Sequence, residues 1–501
     1  MLETLLSGDW TIGSNASSRT PGAGWVFLLS SVDLGTVVTI GTVAPATRRM
    51  LETIAARVVE LDLGSDPPEP TGIDLVLVPA GRRAPPRWTG PDLGPRRWFF
   101  EEVDDAPAEL LAIGTRIAAV WDERFVGAAP ADDRVRRATL DQVSGARTRL
   151  MNRVRGRRLR TSLLVDAAGG GHGRLPEYLA AAMPDQEASA TRPTDWLLTT
   201  SARYPSQKAV MRVYPTGAEV PSAVIKLPMD PLFNRWLDVE YCLLQAVRTG
   251  GDLVDRVPAP TAISRAGRRT LLVENAVPGV ALERRDLHDT PGGARSQAMR
   301  FILALGAATR RSISGAEAAD ALDEVVVQFF RGYVVSPDEH RRIRALLTTI
   351  RRSASFPIVM QHGDPGAWNL LRRPDGGITF LDWEAGELAG VPLWDLLHLQ
   401  RSWSLARSRR LRPSWQLASF HRAFLRQGGE ARLIRGEIDE YVRGMEIDPT
   451  VVEPLFHLCW LARALKELSR LAPVATDRGQ FRRVLGLTLR SREIPVLSDH
   501  W

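Results

Sequence analysis

Residues 361–384, which read QHGDPGAWNLLRRPDGGITFLDWE, contain three polar side chains that could act together: Asp364, Asn369 and Asp382. Asp364 and Asn369 are separated by four residues, and Asp382 comes directly after the apolar run 378–381. A carboxylate and an amide at this spacing can reach around one phosphate group. Asp364 can accept the proton of an attacking hydroxyl, and Asn369 and Asp382 can hold Mg²⁺ through hard oxygen ligands. The pattern therefore predicts a loop that takes part in phosphoryl transfer.

Two apolar strands are expected to position this loop. One strand is predicted at 357–360, just before the loop, and the other at 378–381, just before Asp382. The turn-forming residues 372–377 (RRPDGG) suit a hairpin between the loop and the second strand. Such a hairpin would bring Asp382 back beside Asn369.

The stretch resembles the aminoglycoside phosphotransferase and choline kinase group, the small-molecule branch of the protein-kinase-like fold. That group carries H-G-D-x-x-x-x-N and then a hydrophobic strand ending in Asp, and both pieces are intact here. The resemblance covers 191–501 and implies an α+β bilobal kinase-like domain, with an N-lobe at 191–275 and a C-lobe at 276–501. It implies ATP and Mg²⁺ as cofactors and a small-molecule hydroxyl as acceptor. The catalytic residues would be Asp364, Asn369 and Asp382, and the last two would be the metal ligands.

Lysine is rare in this chain, which makes each lysine informative. Of the 65 basic residues, 62 are arginine (65 − 3), and the lysines are Lys208, Lys226 and Lys466. A compact ammonium binds phosphate differently from a planar guanidinium, so a retained lysine is interpreted as one that arginine cannot replace. By resemblance, Lys226 at the end of a β-like run contacts the α- and β-phosphates and pairs with Glu240 on a helix. Alternatively, Lys226 is a solvated strand-end charge and Glu240 a surface helix residue, since Asp238 lies nearby.

Other nucleotide contacts are expected on both sides of Lys226. A hairpin over 196–214 resembles the nucleotide-covering hairpin of the fold. Its loop has no glycine, and Ser201 and Arg203 are candidate donors to phosphate; an ordinary solvated hairpin explains them equally well. By resemblance, the strand and turn after residue 270 form the hinge. Backbone groups from Glu274 to Ala276 would then bind the adenine edge.

Supporting roles are assigned to His362 and Asp395. By resemblance, His362 orders the loop without transferring a proton, and Asp395 holds the loop through hydrogen bonds. Glu384 is interpreted as a solvated acid, with a second metal as the alternative. His398, on an amphipathic helix, is expected only to pack. No Cys/His cluster has metal-ligand spacing, so zinc is not indicated.

The first 190 residues predict a different architecture. Strands and helices are expected to alternate, at 36–41, 45–56, 57–63 and 73–78. This order favours a parallel α/β sheet, and we predict a Rossmann-like or methyltransferase-like domain at 1–145. Its glycine turn at Gly41 lacks G-x-G, so the domain is interpreted as degenerate. A working cofactor site and an unrelated α/β cap are the alternatives.

Residues 146–190 are basic and glycine-rich and are interpreted as a linker. The glycine cluster at 169–173 lacks the Lys-Ser/Thr of an ATPase P-loop.

Composition limits the class of protein. At 501 residues the chain exceeds one ordinary domain, and 25% charged with 44% hydrophobic residues are globular values. No apolar run approaches a membrane-spanning length and no signal peptide is evident, so a cytoplasmic protein is predicted. Cys242 and Cys459 are expected to be small buried hydrophobes in a reducing compartment.

The chain is basic, with a pI near 9.9. Its basic residues are not gathered with aromatics, however, and no nucleic-acid partner is predicted. The oligomeric state stays open.

Charge also bears on the acceptor. Residues 401–501 hold 18 Lys and Arg against 11 Asp and Glu, a difference of +7. Polycationic aminoglycosides need an acidic pocket, so this region favours a neutral or anionic metabolite, sugar or nucleoside-like compound. The predicted function is an ATP-dependent O-phosphotransferase. The alternatives are a nucleotide-binding pseudokinase or scaffold serving the N-terminal domain, and a protein kinase. The glycine-free loop and the lack of an A-P-E-like segment disfavour a protein kinase.

Overall fold

The computed structural model describes most of the chain after residue 194 and parts of the chain before it. The described residues are 26–27, 29, 31–43, 45–61, 72–78, 97–100, 115–121, 125–128, 160–166, 177–183, 195–200, 208–215, 218, 220–249, 251, 253–288, 292–408, 413–468 and 479–497. They fall into two compact units. The sheet unit comprises Ser18–Tyr241 and Ala259–Ala276, and the helical unit comprises Cys242–Pro258 and Val277–Trp501.

One twelve-stranded sheet is the main feature of the described part of the sheet unit. Its strands are β1 (Leu34–Ile40), β2 (Ala55–Leu61), β3 (Leu75–Val78), β4 (Arg97–Phe100), β5 (Thr115–Trp121), β6 (Phe125–Ala128), β7 (Arg160–Asp166), β8 (Asp195–Thr200), β9 (Lys208–Tyr214), β10 (Ala223–Pro228), β11 (Pro260–Ala266) and β12 (Arg269–Asn275). Their order is β11-β12-β10-β9-β8-β6-β5-β7-β4-β3-β1-β2. Strands β2, β1, β3 and β4 pair in parallel, and the other neighbours pair antiparallel.

The parallel end of the sheet contains the predicted strand–helix–strand unit. Helix α1 (Pro45–Ile54) connects β1 to β2, and its proline stands at the first turn, where no backbone N–H is needed. Gly41 ends β1 with a φ of 87° and donates its N–H to Leu61 O at 2.8 Å. The predicted second strand begins earlier than expected, at Ala55. The Rossmann-like assignment itself stays a prediction, and the glycine cluster at 169–173 lies outside the described residues.

The other end of the sheet has the strand order β8-β9-β10-β12-β11, all antiparallel. These five strands lie within 191–275, the span expected for the N-lobe. They are continuous with the N-terminal strands, because β6 pairs with β8. A short helix, α2 (Glu177–Ala180), lies between β7 and β8 in the chain.

A single hydrophobic core joins the two ends of the sheet unit. Its members come from both sides of the expected boundary at residue 190 and include Val37, Leu51, Leu179, Ile225 and Leu271. Arg269 is fully buried in this core and donates to Pro228 O at 3.2 Å and to Thr53 O at 3.3 Å. Its guanidinium lies 5.3 Å from the Phe27 ring centroid. Segments that the sequence assigns to separate domains therefore bury their apolar faces together.

Helices dominate the helical unit. They are the C-terminal part of α3 (Asn234–Arg248), then α4 (Ala294–Thr309), α5 (Gly315–Gly332), α6 (Pro337–Arg352), α7 (Trp394–Arg407), α8 (Pro413–Phe424), α9 (Gly429–Met445), α10 (Val452–Leu468) and α11 (Gln480–Arg490). In α5 and α6, Ser314 and Ser336 form capping boxes with Glu317 and Glu339, which satisfy backbone groups that the helix start leaves unbonded.

Short strands of the helical unit form two antiparallel three-stranded sheets. The strands are β13 (Val280–Ala281), β14 (Arg311–Ile313), β15 (Phe356–Gln361), β16 (Leu370–Arg372), β17 (Ile378–Phe380) and β18 (Glu387–Gly390). The sheets have the orders β13-β16-β17 and β14-β15-β18. Cys459 is buried, whereas Cys242 is exposed, so the expected burial is wrong for Cys242. Among the described residues, no helix has the length and apolarity that crossing a membrane requires.

Candidate active site

Strands β15, β16 and β17 position the loop around Asp364. β15 is buried along its whole length and delivers the chain to the loop. β16 and β17 form the predicted hairpin, with Leu370 opposite Phe380, and Leu381 donates its N–H to Asn369 O at 2.9 Å. This confirms the expected return of the chain towards Asn369. Asp382 follows with a φ of 69°, a conformation that is costly for a non-glycine residue and that often marks functional sites.

Asp395 anchors the start of the loop, as predicted. Its carboxylate accepts the N–H of His362 at 2.6 Å and the N–H of Gly363 at 3.0 Å, and only 5% of the residue is exposed. Gly363 has a φ of 78°, and a Cβ there would lie 1.8 Å from Ala385 O. Only glycine therefore fits at this position. The His362 ring bonds Leu381 O at 2.9 Å, which joins the loop to the end of β17 and agrees with an ordering role.

The Asp364 carboxylate is held from several sides. His398 Nε2 lies 2.7 Å from Asp364 Oδ1, and Arg463 Nη1 lies 3.8 Å from the same oxygen. Asn369 Nδ2 donates to Asp364 O at 2.9 Å and approaches Oδ2 at 3.3 Å. Arg463 also donates to Gly363 O at 2.7 Å. Oδ1 is therefore committed to the protein, while Oδ2, on a side chain that is 34% exposed, can accept a proton from a bound molecule.

The charge state of this group follows from its neighbours. Burial by itself raises the pKa of Asp364, but the hydrogen bond from His398 and the charge of Arg463 outweigh it and hold that pKa below its usual range. Burial, with the nearby Arg463, lowers the pKa of His398 to about 3. The ring is therefore neutral at physiological pH, and its Nε2 carries the proton that faces Asp364.

The expectation that His398 only packs is wrong. The ring is buried, but its nitrogen bonds the Asp364 carboxylate. One sequence signal pointed there: His398 lies three positions after Asp395 on the same helix, so both face one side of α7. Arg463 lies about a hundred residues beyond the loop, and no local pattern marks it.

In the sheet unit, four side chains form what we call the lysine cluster: Lys208, Lys226, Glu240 and Glu274. Lys226 Nζ lies 2.6 Å from Glu240 Oε1, which confirms the predicted pair, and 2.8 Å from Glu274 Oε1. Lys208 Nζ lies 3.2 Å from the other Glu240 oxygen. Glu240 and Glu274 are almost completely buried. Lys226 and Glu240 are therefore not surface charges, and sequence reasoning missed the side chains of Lys208 and Glu274.

The two glutamates of the cluster are shifted in opposite directions. Burial alone raises the pKa of Glu240, but the ammonium groups of Lys208 and Lys226 outweigh it and hold that pKa at about 2. Burial raises the pKa of Glu274 to about 7, and the charge of Glu240 adds to the rise while Lys226 opposes it. The cluster therefore carries one firmly ionised carboxylate and one that titrates near neutrality.

The remaining predicted nucleotide contacts are only partly described. Ala276 donates its backbone N–H to Ser222 O at 2.8 Å, and Asn275 donates its own to Ala259 O at 2.9 Å. The Ala276 donor is thus bonded within the protein, and an adenine contact there stays a prediction. Ser201 and Arg203 lie outside the described residues.

The loop also offers ligands of the type that Mg²⁺ prefers. The Asn369 amide nitrogen is turned towards Asp364, which leaves the amide oxygen to serve as a ligand. Asp382 and Glu384 present carboxylate oxygens within 4.8 Å of each other. This set of hard oxygen donors fits the implied metal.

The chain is similar to solved structures of small-molecule kinases. Plasmodium vivax ethanolamine kinase is 12% identical with a TM-score of 0.37, over 62% of this chain and 88% of that one. A glucosamine kinase is 16% identical with a TM-score of 0.35, over 62% and 86%. A thermostable mutant of aminoglycoside phosphotransferase APH(4)-Ia is 13% identical with a TM-score of 0.37, over 59% and 94%. No protein-family model and no curated protein matches the chain. What the site does must therefore be inferred from its own geometry.

Proposed function

We propose that the protein is an ATP-dependent O-phosphotransferase that acts on a small-molecule hydroxyl. The acceptor would be a neutral or anionic metabolite, a sugar or nucleoside-like compound, or an antibiotic. The observation that carries the proposal is the state of Asp364. This carboxylate is ionised and fixed at one oxygen by His398, and its other oxygen can receive a proton. A positioned base of this kind is what activation of a hydroxyl requires.

Each remaining residue has a distinct task in this proposal. Asp364 Oδ2 orients the acceptor hydroxyl and takes its proton as the phosphoryl group moves in line. Lys226, kept in place by Glu240, binds the α- and β-phosphates. Asn369 and Asp382 hold Mg²⁺, which when bound neutralises charge on the phosphates. Asp395 and His362 do not contact the substrate in this proposal; they hold the loop in the shape that positions Asp364.

Acceptor-stimulated release of ADP tests the proposal. The purified protein is assayed with MgATP and a panel of sugars, nucleosides, amino alcohols and antibiotics. We expect at least one compound to stimulate turnover, and we expect Asp364→Asn to reduce that turnover by about 10³-fold, since removal of a general base costs of this order. Asp375→Asn, which changes an exposed carboxylate in the β16–β17 turn, is the matched control and should behave like the unaltered protein.

A nucleotide-binding scaffold is the alternative, and the same preparation distinguishes it. A scaffold would gain thermal stability from MgATP, through Lys226, without any acceptor stimulating turnover. If MgATP gives neither turnover nor stabilisation, both proposals fail, because each depends on Lys226 and the metal ligands binding a nucleotide.

A further inference from the structure

Trp368 is an exposed aromatic residue inside the catalytic loop. It stands between Asp364 and Asn369, and 54% of its surface is exposed. The other residues of this loop are buried or half-buried. A large exposed ring beside polar side chains can receive the apolar face of a ligand.

The backbone of the loop determines where the indole lies. A Cβ on Gly366 would be 2.3 Å from Trp368 Cε2, so the ring lies directly over Gly366. Gly366 has an ordinary φ of −71°, so its lack of a side chain serves the ring and not the backbone conformation. The other neighbour is His398, whose ring is edge-to-face with the indole, with 6.0 Å between centroids. The indole is thus fixed beside the imidazole that bonds Asp364.

The charges around Asp364 indicate what kind of molecule could cover this ring. Asp382 and Glu384 belong to the set of metal ligands described above, and three further carboxylates of the helical unit already bond protein groups. Asp395 accepts two backbone N–H groups, Glu467 accepts the N–H of Gln480 and of Phe481, and Glu387 lies 3.9 Å from Lys466 Nζ. Arg463 adds a positive charge close to Asp364. A cationic acceptor would gain little here, whereas a neutral or anionic ring could stack on the indole.

We propose that Trp368 is the platform on which the acceptor binds, and that the acceptor is a cyclic hydroxyl compound, a sugar or cyclic polyol without positive charge. One apolar C–H face of the ring covers the indole, and a hydroxyl at its edge reaches Asp364 Oδ2. This inference rests on the proposed function and deepens it by naming the class of acceptor. It makes Trp368 a specificity-determining residue that contacts substrate and takes no part in proton transfer.

Steady-state kinetics with the best acceptor test the platform. Trp368→Ala should raise the KM for the acceptor by about tenfold, the size expected for loss of one aromatic stacking contact, and leave the KM for ATP unchanged. Trp368→Phe should keep most of the affinity. Gly366→Ala should reproduce the effect of Trp368→Ala, because the added methyl displaces the ring. Leu433→Ala, an exposed apolar residue on α9, is the control and should change neither constant.

Direct binding separates this inference from the proposed function. Saturation-transfer NMR is recorded with methyl α-D-glucopyranoside, myo-inositol, uridine and choline. Binding of at least one cyclic compound, stronger than that of choline and lost in Trp368→Ala, supports the platform even if no ADP forms, in which case the proposed function alone fails. The inference is overturned if no cyclic compound binds, if choline binds best, or if Trp368→Ala binds the cyclic compounds unchanged.

Discussion

The lysine cluster and the Asp364 loop both hold one charge in place, but they do it by different means. In the cluster, two ammonium groups face one firmly ionised carboxylate and one that titrates near neutrality, and all four side chains are largely buried. At the loop, a single carboxylate is held by a neutral imidazole, an amide and one guanidinium, and it stays a third exposed. One region balances charge with charge; the other supports a charge with hydrogen bonds.

In the proposed function, the two groups have different tasks. A lysine that binds phosphate keeps its charge throughout, so neighbouring carboxylates can hold it permanently. A base must bind and release a proton, so a fixed counter-charge in direct contact would make its carboxylate too weak a base. At Asp364 the closest donors are neutral and Arg463 lies farther off, at 3.8 Å, although the His398 hydrogen bond and the Arg463 charge still hold the pKa of Asp364 below its usual range. The cluster is therefore expected to be sensitive to loss of any one charge, and the loop to loss of hydrogen-bond geometry.

Loss of the shared carboxylate should have the largest effect on stability. Glu240→Ala leaves Lys208 and Lys226 without the carboxylate that they share, and breaking a buried ion pair costs about 3–5 kcal/mol. We expect a loss of this size in urea unfolding, together with loss of turnover. Glu52→Ala, at an exposed pair on α1, should cost less than about 1 kcal/mol. Equal losses in the two variants would mean that the cluster is no more sensitive than a surface pair.

The anchor of the loop comes next. Asp395→Ala leaves the N–H groups of His362 and Gly363 buried without their acceptor, at a cost of about 2–3 kcal/mol. We expect a lower midpoint of urea unfolding and a fall in kcat with the KM for ATP little changed, because the lysine cluster is intact. Asp323→Ala, which removes a half-exposed carboxylate from a surface pair, is the control. A normal kcat in Asp395→Ala would show that the loop holds its shape without this anchor.

Loss of the single hydrogen bond from His398 to Asp364 should have a smaller effect than loss of Asp395. His398→Leu removes the hydrogen bond that lowers the pKa of Asp364, so that pKa rises and the acid limb of the kcat–pH profile moves to higher pH. We also expect kcat to fall by about tenfold. His398→Gln places an amide N–H near the position of Nε2 and should restore most of both properties. An acid limb that does not move in His398→Leu would assign the residue to packing alone.

Glu274 should produce the smallest effect, visible only as a pH dependence. Its pKa is raised to about 7, so between about pH 4.5 and 7 the folded protein binds more protons than the unfolded chain. Stability therefore falls as pH rises through this window. Glu274→Gln removes the fall, so the variant's free energy of unfolding, measured with urea, should change less from pH 5 to pH 8, by about 1–2 kcal/mol. Parallel curves for the two proteins would mean that Glu274 ionises normally.

Local sequence determined the elements that position the Asp364 loop and Lys226. The apolar runs around Asp364 and the turn formers at 372–377 specify two strands and a hairpin, because strand and turn preferences act over a few residues. The pairing of Asn369 with the end of β17 follows directly. The rarity of lysine singled out Lys226, and its separation from Glu240 matches a strand followed by a helix. These features depend on neighbours along the chain, so a single sequence is sufficient to predict them.

Only the tertiary structure decided which distant groups surround these elements. His398 and Arg463 come from α7 and α10 to hold Asp364, and Glu274 reaches Lys226 because β12 lies beside β10. The core shared across residue 190 depends likewise on the pairing of β6 with β8. Such contacts join residues tens to hundreds of positions apart, and burial in the folded chain sets the pKa values that follow from them. No local preference encodes either property.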